Sequence, residues 1–269
     1  MVAAVSGLGA TFMRELTLLP REAKENNREY AYRVLRENII TCNLPPGEVL
    51  NENAVAEMLA SSRTPVREAL FTLRMENMVE VRPQSASIVS LIDLNLLRQG
   101  VMMQVMVETE IMESLCGNLD ETLIHRWRDN LAGQREAVAS PDKTRHYLAL
   151  DDEFHRLAYV AARKENLYRV TKTLSSQLDR LRYLLLLEGR IEYKSGFAEH
   201  KELFIRLLSG MRKGLAELYL PHRLGVEKHI PAVAAKYPEY FRTDAEHDGR
   251  MDVLAGLMGC SLGAGEGGA

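Results

Sequence analysis

Residues 28–92 change pattern repeatedly within a short stretch, and the order of those changes leaves few folds open. EYAYRVLRENIITC places Ala31, Val34, Leu35 and Ile39 at helical spacing, after which Pro45-Pro46-Gly47 forces a turn. A second short helix is expected after Asn51, with Val55, Met58 and Leu59 on its apolar side and a break at Ala60–Ser62. A third carries Pro65 in its first turn, where proline is tolerated, and is expected to point Val66, Leu70, Leu73 and Met75 inward. Two extended pieces follow, around Val79–Arg82 and Ser87–Leu91, joined by Pro83–Ala86. Three helices and a small hairpin, in that order, predict a winged helix-turn-helix.

From Asp93 the periodicity is helical almost throughout. Helices are expected over Leu94–Cys116, Glu121–Ala139, Lys143–Ala162, Asn166–Leu187, Ser195–Leu208 and Met211–Ala235. The fold class is therefore mainly α: an N-terminal winged helix-turn-helix with a small β wing, then an all-helical antiparallel bundle. The expected divisions are a flexible arm over 1–27, a DNA-binding domain over 28–92, a helical domain over 93–240, and a glycine-rich, disordered tail over 241–269.

Charge narrows the function. The chain carries net −3, and residues 1–92 hold ten basic against eleven acidic residues, a net of −1. Any DNA contact must then come from a few well-placed cations rather than a basic field. Aromatic residues are only 6% of the chain, which disfavours stacking platforms for single strands. Duplex readout by local geometry remains. No apolar run approaches the roughly 18 residues that span a bilayer, and no basic residue precedes Arg14, so neither a membrane anchor nor a secretory signal is expected. Cys42, Cys116 and Cys260 are odd in number and far apart, as suits a reducing cytoplasm rather than a disulfide framework.

The segment PPGEVL followed by NENAVAEMLASSRTPVREALFTLRMENMVEV resembles the N-terminal domain of the GntR family of bacterial transcription regulators, with Ser62–Glu68 as the most telling run. Ser62 is placed to cap the third helix, whose free N–H groups would then face a phosphate. Arg63 and Arg67, four apart, share one face of its first turn, and an arginine fork matches guanine O6 and N7. Thr64 suits a phosphate or a thymine methyl group. Without that setting, the same arginines would read as surface partners of Glu68 and Glu57. Two positions depart from the family: Asn53 stands where a basic residue is common, and Ala86 where a wing-tip glycine is common. Asn53 can still bond a phosphate, without charge.

In the helical half, Asp151 and His155 are four apart and project from one helix face, while His200 and His222 lie on later helices. One carboxylate and three imidazoles suit a divalent ion such as zinc, nickel or manganese, although an Asp–His pair at this interval also occurs as a surface pair. Asp152 is a rival to Asp151 that lacks the four-residue offset. The Asp151–His155 element, the Glu199–His200 pair and Gly210 leading to His222 look like the FCD ligand-binding domain of the FadR subfamily, whose metal-binding members use these four positions. The resemblance thus implies Asp151, His155, His200 and His222 as ligands, with zinc the first choice. His125, His146, His229 and His247 match no element of this pattern and read as surface residues. Many members carry an effector-anchoring arginine where this chain has Gln104, so Arg180 and Arg182 are the substitute anchors, with at least one expected at the surface. Pro221 should kink the helix that carries His222. The methionines at 102, 103, 106 and 112 read as bundle core or dimer packing before they read as a soft-metal site.

The expected molecule is a cytoplasmic, homodimeric repressor that binds double-stranded operator DNA and responds through its metal to a small-molecule effector, an organic acid metabolite. It is not expected to be an enzyme: there is no HExxH, and no general base is evident beyond Asp152 or Glu153. The alternatives are a metalloenzyme with an appended DNA-binding domain, and a constitutive architectural binder with a structural metal.

Overall fold

Asn26 begins the first helix by a reciprocal pair of bonds. Its Oδ1 accepts from the Glu29 N–H at 2.9 Å, and the Glu29 carboxylate accepts from the Asn26 N–H at 3.0 Å. The computed structural model describes residues 13–81, 87–140, 144–191 and 193–242, so Ala86, His247 and the tail beyond 242 lie outside the described residues. Two compact units are present, one running to Ile92 and joined by Glu239–Phe241, the other beginning at Asp93.

In the first unit, α1 (Asn27–Ile40), α2 (Glu52–Met58) and α3 (Arg63–Met75) surround a core that includes Val34, Leu35, Ile39, Val55, Val66, Leu70 and Leu73. Met75 departs from expectation. It is 67% exposed, and Ala69 takes the inward place that the helical phase left open. The α2–α3 turn passes through Ala60 in the left-handed region at φ +47°. Strands β1 (Val49–Leu50), β2 (Val79–Val81) and β3 (Ser87–Val89) form an antiparallel sheet in the order β1-β3-β2. Val49 pairs with Ile88, and Val79 with Val89. The two-residue β1 has too little alternation to be read from sequence.

The segment expected as a loose arm is, from Met13 on, packed against α1. Leu16 is buried, and the buried Asn38 side chain both accepts from the Thr17 N–H at 2.9 Å and donates to the Thr17 carbonyl at 2.9 Å. Arg33 reaches back to the Pro20 carbonyl at 2.7 Å. A polar, aperiodic stretch is held here by side chains of a neighbouring helix, a signal that periodicity does not carry.

The second unit comprises α4 (Leu94–Leu115), α5 (Glu121–Ala139), α6 (Thr144–Ala161), α7 (Glu165–Leu174), α8 (Ser176–Leu187), α9 (Tyr193–Ser209), α10 (Leu215–Leu224) and α11 (Ile230–Lys236). α4 packs against α6, α7, α8, α9 and α10. Two expected helices are broken. Asn166–Leu187 divides at Ser175, whose hydroxyl donates back to the Thr171 carbonyl at 2.5 Å. There Gly100 of α4 comes so near that a Cβ would sit 2.4 Å from the Leu174 carbonyl oxygen. Met211–Ala235 loses its first turn, since α10 begins only after Gly214 at φ +79°, and the remainder divides where α10 ends at Leu224 and α11 begins at Ile230. Pro221 lies inside α10.

Candidate metal centre and DNA-reading edge

α6 brings Asp151 and His155 to one buried face, α9 contributes His200, and α10 contributes His222. The four offer ligand atoms that all lie within 4.8 Å of one another. The three Nε2 atoms form a nearly regular triangle, with His155–His222 and His200–His222 at 3.2 Å and His155–His200 at 3.3 Å. Nitrogens held tetrahedrally about 2.0–2.1 Å from one ion stand about 3.3–3.4 Å apart, so the triangle fits such an ion. Asp151 closes the set, its Oδ1 3.6 Å from His200 Nε2 and its Oδ2 held by Arg182.

Every other ring nitrogen faces an oxygen. His200 Nδ1 lies 2.8 Å from Gln134 Oε1, His222 Nδ1 lies 2.7 Å from Glu199 Oε2, and His155 Nδ1 lies 3.1 Å from Glu108 Oε2. With Nδ1–H donating outward, the three Nε2 lone pairs point at one another. Three lone pairs so close together repel one another at a buried site unless a cation or a proton stands between them.

Burial pushes His155 and His200 well below the ordinary imidazole value, with Arg223 adding to this at His155 and His222 adding to it at His200. Burial alone would raise the Asp151 carboxyl, but Arg182 and the imidazoles hold it well below the usual carboxylate range. Asp152 takes a different part: burial is outweighed by Lys172 at 2.9 Å and Arg182 at 3.0 Å, so it serves an ion-pair network.

A cavity of about 200 Å³ opens beside the cluster, lined by Asp151 and His222 together with Arg182, Arg190, Ser195 and Lys228. Of Gln104, Arg180 and Arg182, the positions expected at an effector pocket, only Arg182 lines it. Neither Arg180 nor Arg182 lies at the surface: Arg180 is fully buried with Gln177 Oε1 at 3.3 Å, and Arg182 is mostly buried between the two aspartates. Gln104 is buried on α4. His229, expected at the surface, is another lining residue.

Sequence reasoning missed Glu108 and Gln134 as partners of the histidines. Their signal was phase. Glu108 falls in register with Val101, Val105, Met112 and Leu115, and Gln134 with Trp127 and Ala137, so each is a polar group on a buried stripe.

In the first unit, Arg63, Thr64 and Arg67 are exposed at the start of α3, with Asn53 exposed on α2. Ser62 holds the N-cap position, but its side chain makes no capping bond. The N3 residue is Pro65, which has no N–H to give. The partner of the arginines is neither Glu57 nor Glu68. Glu52 Oε2 lies 2.6 Å from Arg67 Nε and 3.3 Å from Arg63 Nη2.

A winged helix-turn-helix unit followed by an all-helical unit defines a DNA-binding transcription regulator. Residues 27–89 match the bacterial regulatory proteins of the gntR family, and residues 101–223 match the FCD domain. The chain belongs to the GntR family and has the FadR-like FCD architecture. It is 31% identical over 219 residues to an HTH-type transcriptional regulator in an unstable DNA locus of Streptomyces ambofaciens, covering 81% of this chain and 91% of that one. It is 30% identical over 153 residues to the HTH-type transcriptional repressor RspR of Escherichia coli, covering 57% and 67%. The fold is shared with E. coli McbR/YncC, with a TM-score of 0.63, 19% identity, and 79% and 99% of the chains covered. It is shared likewise with a GntR regulator from Rhodococcus sp. RHA1, with a TM-score of 0.63, 17% identity, and 78% and 98% covered. Both curated relatives are named as HTH-type transcription regulators, which favours a regulator over the metalloenzyme alternative. Among the described residues, no helix is long and apolar enough to cross a membrane.

Proposed function

We propose that the protein is a cytoplasmic, homodimeric repressor whose helical unit holds a divalent ion through Asp151, His155, His200 and His222 and takes up an organic acid beside it. The observation that carries this reading is the convergence of three Nε2 lone pairs whose Nδ1 sides are already engaged. Nitrogen-rich donors favour zinc, with nickel and manganese as alternatives. The bound ion would supply positive charge and an open position for an oxygen donor of the effector. Arg182, Arg190 and Lys228 line the adjacent cavity, where cations favour a carboxylate. Ser62, Arg63, Thr64, Arg67 and Asn53 would meet duplex DNA, the arginines at base edges and the others at phosphates. Effector binding would bias the helical unit between two packings and so change the separation of the two recognition helices, which must match half-sites on the operator. The name of the E. coli relative favours repression.

The dimer reading rests on apolar side chains left exposed on two helices in mutual contact, Met103 and Met106 on α4 and Leu167, Val170 and Leu174 on α7. The test is elemental analysis of the purified protein and of a His155→Ala/His200→Ala variant, with operator binding measured with and without metal and candidate acids. Stoichiometric metal lost in the variant is expected. Full metal content in the variant would refute the site. Operator affinity unchanged by metal and effector together would refute the switch and leave a constitutive binder.

A further inference from the structure

We infer that Glu52 is a specificity-determining residue, a carboxylate that aims the two base-reading arginines and penalises DNA that does not match them. The inference rests on the reading of Arg63 and Arg67 as the DNA-reading pair. Glu52 is the first residue of α2, and its backbone is fixed from the preceding position, where Asn51 Oδ1 accepts from the Asn53 and Ala54 N–H groups at 2.9 and 3.2 Å. One oxygen of this carboxylate then serves both arginines, which are eleven and fifteen residues further along the chain.

The atom that Arg67 uses matters. It donates Nε to Glu52 at 2.6 Å, so the carboxylate sits on the Nε side of the guanidinium. The Nη1–Nη2 end is left for the paired acceptors O6 and N7 of guanine. The side chain is otherwise largely exposed, and a free arginine would sample many rotamers. Holding it beforehand in one orientation favours a base at one place and disfavours neighbouring arrangements.

Charge acts in the same direction. Glu52 lowers the recognition edge from two positive charges to one, in a unit that has no basic surplus to compensate. A carboxylate at the DNA-facing edge is repelled by phosphates on any sequence, while the arginine–guanine bonds are available only on the right one. The penalty is general and the gain is specific, which widens the gap between operator and random DNA. A carboxylate oxygen not used by arginine also suits the N4 amino group of cytosine.

The experiment selects from a randomised duplex library with the full-length protein and with Glu52→Gln, Glu52→Ala and Arg67→Ala. Affinity for the wild-type consensus and for random duplex is measured at several salt concentrations. Arg67→Ala is expected to lose selection for one guanine per half-site. Glu52→Gln, isosteric and on an accessible helix start, is expected to weaken preference at that same guanine by about tenfold while binding random duplex several-fold more tightly. Glu52→Ala should do the same. If both Glu52 variants return the wild-type profile while Arg67→Ala does not, the inference fails and the DNA-reading segment stands. A uniform gain on all sequences would make Glu52 a simple competitor of DNA and also overturn it. If Arg67→Ala itself selects the wild-type site, the underlying reading falls with it.

Discussion

Gln134 accepts from His200 Nδ1 at 2.8 Å, and the direction of that bond is set by a backbone carbonyl two side chains away. The Leu150 carbonyl can only accept, so Asn130 must offer it Nδ2, at 2.9 Å. Asn130 Oδ1 then accepts from Gln134 Nε2 at 2.7 Å, which leaves Gln134 Oε1 for the imidazole N–H. The chain of amides fixes the tautomer that presents the Nε2 lone pair to the cluster.

Replacing Gln134 with Leu should therefore lower metal affinity by about 10–100-fold, because the ring loses the group that orients it. Gln134→Glu keeps an acceptor on Nδ1 and should hold affinity near the wild-type value. Competition against a chelator of known strength checks both. Equal affinity for all three proteins would show that the amide chain does not act on the metal.

Glu108 and Arg223 form a buried pair at 2.8 Å, with Tyr159 donating to the carboxylate at 3.0 Å and Arg223 Nε donating to Tyr219 at 2.7 Å. Glu108→Gln leaves the guanidinium buried without its counter-ion. A loss of about 3–5 kcal/mol is expected in urea unfolding. Adding Arg223→Met should return much of that loss, since the stranded charge is then gone. A double variant no more stable than the single one would show that Glu108 stabilises through His155 instead.

The parts of this molecule that sequence made legible are those written in local spacing. The three short helices and the hairpin between 28 and 92 are punctuated by Pro45, Pro46, Gly47 and Pro65, and the four clustering residues sit in short local motifs. What escaped depends on contacts between distant segments. The break at Ser175 reflects the close approach of Gly100, 75 positions earlier in the chain. Glu108 and Gln134 gain their roles only when α4 and α5 meet α6 and α9. Glu52 meets the arginines only across the turn between α2 and α3, a contact that spacing along one helix does not describe, whereas Glu57 and Glu68 are nearer to them in sequence.

Arg33 grips Glu25 through Nε at 2.7 Å and Nη2 at 2.8 Å, and this pair ties residues 20–25 to α1. The hydrogen bond to Arg33 holds the Glu25 carboxyl down to about 2, against an ordinary 4.5. A depressed folded value means that the contribution is fully present above about pH 4.5 and is lost as pH falls toward 2. Stability measured by urea titration should therefore fall less steeply across that window in Glu25→Gln than in the wild type. Parallel curves would mean that the pair is replaced by water at no cost.

The apolar faces of α4 and α7 make the last prediction. Met106 and Val170 are 52% and 54% exposed, and the two helices pack on each other, so neither side chain is needed inside its own unit. A Met106→Glu/Val170→Glu variant should consequently keep its melting temperature at dilutions where the wild type is already monomeric. If a second copy covers these faces, four carboxylates are brought together in a dry interface, and sedimentation should report a monomer at concentrations where the wild type is a dimer. Operator affinity should then drop by about two orders of magnitude or more, because each half-site is bound without the effective concentration that its partner supplies. A variant that stays dimeric would place the interface elsewhere. One that becomes monomeric yet binds the operator at full strength would show that the recognition helices act singly.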